Sequence, residues 1–414
     1  MGVGERMNNV TLGGVDTPTE VIVSERDLSW PLALILFYST NSMLFSTAPV
    51  LVTQLLKVVA LLLPLVLRLL FWRSLRVTGE GFILKIVIFT AILMGLFPMS
   101  VVSGTAVGCV VNFVCHFLLL VLNFCVMGRG GVYYLFEKFE RITIFFAVVS
   151  LFFWIFGEFL HVLPSTGTVY SGWSQSTVVN FYYLHFGAQG LRNCGQFVEA
   201  PMYNIVLCTA LFFELFMRTK VSKIRLMILL LTIGTTFSTT GQLVAMASIL
   251  VRFVVLRKQR MSILKLIVFT IVAIFAVVCL VVVSTMILDA KSQGASFAVR
   301  AYYMLTELRA FSEAPFIGHG YCSFAIGSSN SITLILAEGG LWLFIAYLLC
   351  LVILPFKLSA LAQNEGLKYF VLFYFLVFSI TISPYLLLTY AVMSSSLIVL
   401  LVDKRNVKNQ YIWS

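Results

Sequence analysis

Long apolar runs dominate this chain, and the polar positions between them are sparse and clustered. Twelve runs lie near 29–47, 50–72, 82–102, 105–127, 139–160, 201–217, 224–237, 240–256, 262–288, 330–356, 367–385 and 387–402. A transmembrane helix needs about 20 mainly apolar residues, a length that the seventh and twelfth runs fall short of. Only helices and closed barrels satisfy backbone polar groups in lipid. Barrel strands alternate apolar and polar residues, and these runs do not. The pattern predicts an all-α polytopic membrane protein with about 12 transmembrane helices. It divides the chain into a polar tail (1–28), helices 1–5 (29–160), a first large loop (161–200), helices 6–9 (201–288), a second large loop (289–329), helices 10–12 (330–402) and a basic tail (403–414).

Charge placement orients this bundle. The net charge of +11 is high for a chain that is 60% hydrophobic and 11% charged. Of the 28 Lys and Arg residues, 20 fall in six segments: Arg68 to Lys85, Arg129 to Arg141, Arg218 to Arg225, Arg257 to Lys265, Lys357 to Lys368 and Lys404 to Lys408. The two long loops hold four: Arg192, Lys291, Arg300 and Arg309. This alternation is the positive-inside pattern, so no nucleic-acid partner is expected; membrane lipids are. It places both termini in the cytoplasm and both long loops outside. The first 28 residues lack the basic start and apolar stretch of a cleaved signal. Eight cysteines form no metal pattern, and Cys194 and Cys322 in the two loops are expected as free thiols, with a disulfide between them the alternative in an oxidising compartment.

The outer loops carry the candidate chemistry. Arg192 and Glu199 lie just before Pro201, a residue favoured at a helix start. Arg192 could bind an anion or snorkel to headgroups. In the second loop, Phe297, Ala301, Met304, Leu308 and Phe311 recur at the spacing of one apolar helix face. Arg300 and Glu307 are seven apart and share another face. Arg309 lies about 180° around the helix from Arg300, which makes it a salt-bridge or headgroup contact. Gly318 and Gly320 allow a tight path that presents His319. Ser328, Ser329 and Asn330 are placed to cap the next helix, and Glu338 lies about two turns inside it. Arginine's fixed fork suits phosphate. Tyr302, Tyr303 and Tyr321 could stack on sugars or form the aromatic belt of the interface.

Arg300, then Pro315-x-x-Gly318-x-Gly320, Ser329-Asn330 and Leu334-Ile335-Leu336-Ala337-Glu338-Gly339-Gly340-Leu341 together resemble the O-antigen polymerase and ligase superfamily. The Arg192-x-x-Gly195-x-Phe197 stretch is similar to that superfamily's preceding external arginine loop, and Phe237 to Gly241 occupies the place of its short inter-helix turn. The resemblance covers about residues 190 to 345. It implies a GT-C-like fold in a bacterial inner membrane and a metal-independent glycosyltransferase without cofactors. The donor would be an undecaprenyl-diphosphate-linked oligosaccharide, polymerised at the periplasmic face, with a chain-length regulator as a further partner. It also implies Arg192 and Arg300 as diphosphate ligands. His319 would serve as a base or hold the loop backbone. Glu199 or Glu307 could be the base instead, or orient the arginines. Ligases carry His-Asn where this chain has Ser329-Asn330, which argues against the ligase alternative. A flippase of lipid-linked sugars is the other alternative.

Overall fold

A computed structural model describes residues 19–72, 82–172, 176–187, 190–255, 295–324, 330–357, 365–381 and 384–397. Five described helical stretches are long and apolar enough to cross a membrane: Val50–Arg68, Ala106–Met127, Gly131–Phe159, Ala200–Met217 and Ser331–Lys357. Shorter apolar helices cover Ser29–Tyr38, Ile88–Val102, Thr239–Phe253, Gly366–Ile380 and Leu387–Leu397. The chain is thus a helical membrane protein. The expected ninth run, 262–288, lies outside the described residues.

In chain order the helices are α1 (Thr19–Tyr38), α2 (Met43–Thr47), α3 (Val50–Trp72), α4 (Phe82–Leu93), α5 (Phe97–Val102), α6 (Ala106–Val110) and α7 (Leu119–Phe153). After the first loop come α8 (Ala200–Phe212), α9 (Lys223–Thr235), α10 (Thr239–Val255), α11 (Ala295–Glu313), α12 (Ser331–Leu348), α13 (Glu365–Ile380) and α14 (Leu387–Leu397). Wider helical turns fill Val111–Leu118, Trp154–Phe159, Phe213–Met217 and Leu349–Ile353.

Contacts give the directions. Only a short connection separates α1 from α3, and the two pack as a hairpin. Ala106–Met127 runs with α3, since Asn123 bonds to the Leu61 carbonyl and Arg68 to that of Val126. Gly131–Phe159 runs with α1, where Lys138 lies over Trp30 and Phe146 stacks on Phe37. Ala106–Met127 and Gly131–Phe159 therefore run in opposite directions, so α7 is not one straight rod but turns back where Gly128, Gly130 and Gly131 lie. Arg141, Arg218 and Arg225 gather at this turned end, while both long loops meet the bundle at the opposite end.

An all-α expectation misses one element. The first loop holds a three-stranded antiparallel sheet in the order β1 (Gly167–Ser171), β2 (Ser176–Phe181), β3 (His185–Gly187). Thr177, Val178 and Val179 favour strands because their branched side chains fit a pleated, half-buried surface. The sheet is fastened to the end of Gly131–Phe159 by Nε2 of His185, 2.9 Å from Glu158 Oε1, with both side chains buried. The first loop is a folded cap over the bundle.

Candidate functional site

A break in α12 organises the loop-bearing end. Gly340 has φ 56° and ψ −157°, outside the helical region. In an unbroken helix the Leu341 and Trp342 N–H groups would donate to Ala337 and Glu338. Instead Leu341 donates to the Pro315 carbonyl at 2.8 Å and Trp342 to that of Phe316 at 3.0 Å. The freed carbonyls of Ala337 and Glu338 accept from His319 at 3.0 Å and Gly320 at 2.8 Å. The Pro315 to Gly320 loop is laced into the helix through its backbone. Such close approach requires missing side chains: a Cβ on Gly340 would lie 2.6 Å from Phe316 backbone atoms, and one on Gly318 would overlap the Glu338 backbone. Gly318 and Gly320 also carry φ of +72° and +102°.

Glu338 is fully buried at this break. Its Oε1 accepts from the Phe324 N–H at 3.2 Å, and its Oε2 from the Tyr385 hydroxyl. Tyr321 packs on Tyr385, with ring centres 4.7 Å apart, and is held by its N–H to Ser100 Oγ and by Thr105 to its carbonyl. Desolvation, and next the charge of Glu338, push the Cys322 thiol up to about 11. Both Cys322 and Cys194 are free thiols. Below Tyr321, Phe113 touches both tyrosine rings edge-on. Asn112 donates to the Tyr390 hydroxyl at 2.6 Å and lies 3.3 Å from His116 Nδ1. Intramembrane polar groups are costly and mark function by default. Tyr385, Tyr390, Asn112 and His116 were not singled out from the sequence. Their signal was present, as polar residues inside apolar runs, but weaker than that of a full charge.

The helix expected over 297–311 is α11, but its apolar stripe does not face the protein. Met304 and Leu308 are exposed, whereas Glu307 and Ala310 are buried against α12. Thr333 donates to the Glu307 carboxylate, and Asn330 caps α12 by accepting from the Thr333 N–H at 3.0 Å. Tyr303 is half-buried; Arg300, Tyr302 and Arg309 are exposed, and Arg309 pairs with Glu313 at 3.5 Å. His319 is packed rather than presented. Its Nε2 donates to the Ala310 carbonyl at 3.0 Å and its ring stands edge-on to Phe324. That bond puts the proton on Nε2 and the lone pair on Nδ1. Ser329 lies outside the described residues.

Arg192 belongs to a second group. Its Nε donates to the Thr236 carbonyl at 3.1 Å, at the C-terminus of α9, where the helix dipole favours a cation. Asn193 secures the same turn through Thr235, by its N–H and its amide, each at 3.0 Å. Gly195, at φ +56°, sits against the Tyr203 ring, and Phe197 stacks on that ring. Glu199 is the half-buried residue that opens α8. The structure therefore joins Arg192 to the end of α9, just before Phe237 to Gly241, and joins His319, Tyr321 and Glu338 around the break in α12. Arg192 and Arg300 stand on separate elements. Among the described residues, no three His, Cys, Asp or Glu side chains gather as a metal site. Comparison of the chain with protein-family profiles and with characterised proteins found no match.

Proposed function

We propose that this chain is a metal-independent polysaccharide polymerase of the bacterial inner membrane, joining undecaprenyl-diphosphate-linked oligosaccharide units at the periplasmic face. One observation carries the reading. The residues that bear the resemblance also tie the two loops to one end of the bundle: Arg192 bonds to Thr236, Gly320 to Glu338 of α12 with Gly318 against the same backbone, and Asn330 to Thr333. The acceptor hydroxyl attacks the anomeric carbon of the donor, the bond from that carbon to the diphosphate oxygen breaks, and undecaprenyl diphosphate leaves. Arg300 and Arg192 offset the charge that builds on the leaving group, a contribution that is often the largest in catalysis. Nδ1 of His319, the ring nitrogen not bonded to Ala310, takes the acceptor proton as general base. Glu338 and Tyr385 hold the loop that carries His319.

A flippase is the second reading, favoured by the broken helix with a buried carboxylate, a feature of transporter binding sites. Purified protein given a lipid-diphosphate repeat unit in vesicles separates the two. A polymerase yields a ladder on a gel, which Arg300→Ala and Arg192→Ala abolish at unchanged protein level. A flippase carries label across the bilayer with no ladder, and that result overturns the polymerase.

A further inference from the structure

The second long loop has a geometry unsuited to water. Contacts between α11 and α12 keep a constant offset of 26 residues: Glu307 with Thr333, Pro315 with Leu341, Phe316 with Trp342. The two segments therefore run parallel, and the chain descends beside α12 from its cap to the level of its break. It then climbs back, since Tyr321 is held by Ser100 and Thr105 at the loop-bearing end. The level of the turn follows from Trp342, which donates to the Ile92 carbonyl and lies against Gly95 within the apolar stretch Ile88–Val102. Gly95 is seven residues short of Val102, next to the Ser100 and Thr105 contacts, so the turn sits roughly 10 Å below that end of the stretch at 1.5 Å per residue.

The side chains at that level match lipid. Phe316 is 73% exposed and Ile317 40%, beside the exposed Leu341, Trp342 and Ile345 on the outward strip of α12. Most of the turn's backbone is paired as well, as irregular backbone at membrane depth requires: the carbonyls of Pro315 and Phe316, and the N–H groups of Gly318, His319 and Gly320, have partners, while the N–H groups of Phe316 and Ile317 have no backbone partner. Pro315 has no N–H to pair.

We infer that Pro315 to Ile317 is the tip of a re-entrant segment, inserted among the acyl chains of the leaflet at the loop-bearing end. Its surface continues the lipid-facing strip of α12, and its depth fixes Arg300, on the descending helix above it, near the headgroups.

Spin labels in the reconstituted full-length protein test this. Labels are placed by Phe316→Cys and Ile317→Cys, with Ile345→Cys as the lipid reference and Tyr182→Cys, on the exposed turn after β2, as the water reference; unsubstituted protein gives the background. The expected result is that labels at 316 and 317 relax with oxygen and lose the broadening by a water-soluble nickel chelate, as at 345. Broadening by the chelate equal to that at 182 would overturn the inference. So would shielding from both reagents, which would mean that protein, including a second copy of this chain, covers the tip. Agreement of the two sites guards against one variant failing to fold.

Discussion

Replacing Gly340 by alanine tests the interlock at the centre of this molecule. The residue sits at φ 56° and ψ −157°, a region that side chains enter at a cost of about 1–3 kcal/mol. The new Cβ would lie 2.6 Å from backbone atoms of Phe316 and Pro315, so the loop must retreat. Retreat breaks at least one of the bonds from Leu341 to Pro315 and from Trp342 to Phe316. A buried backbone group left unpaired costs about 1–3 kcal/mol. The sum is a destabilisation of roughly 2–6 kcal/mol. Thermal unfolding of detergent-purified protein, followed by loss of the monodisperse elution peak, should show a clear drop in midpoint. Gly234→Ala is the control. Nothing lies within 4 Å of its Cβ position, so it should gain up to about 1 kcal/mol from helix propensity. Hydrogen exchange adds a local readout, because a straightened helix releases the His319 and Gly320 amides. If Gly340→Ala keeps both the midpoint and the protection of those amides, the interlock does not hold the loop.

Two further outcomes follow from the same geometry. Arg218 bonds to Glu140 at 2.6 Å and lies 3.0 Å from Glu214; both carboxylates are fully buried. Removing one partner from such a cluster costs about 3–5 kcal/mol, so Arg218→Met should lower expression and thermal midpoint, with Arg218→Lys between it and wild type. With its thiol pushed up to about 11, Cys322 is about one part in a thousand thiolate at pH 8. Iodoacetamide labelling of Cys322, read by mass spectrometry, should therefore be slow at pH 8 and rise about tenfold per pH unit towards 11. Glu338→Gln should speed it by removing the nearby charge.

Several features were legible locally. Apolar runs announce spans because each must satisfy its own backbone in lipid. Asn330 caps α12, and Gly318 and Gly320 make the tight path expected of them. The strands of the first loop were missed because short β-branched stretches such as Thr177 to Val179 were lost among stronger hydrophobic signals. The face of α11 was misjudged for a different reason. Periodicity locates an apolar stripe but does not say whether protein or lipid lies against it, and here Glu307 turns inward while Leu305 and Leu308 stay outside.

The sequence by itself determined a helical membrane protein with polar chemistry concentrated in two long loops, because hydropathy, caps and glycine positions act within a few residues of the chain. Only the tertiary structure decided that the second loop dives beside α12, that Gly340 breaks that helix to receive it, and that Glu338 meets Tyr385. Those contacts join segments whose spacing along the chain carries no energy of its own. They form because a broken helix and an irregular loop, each with unpaired backbone groups, satisfy one another where water cannot.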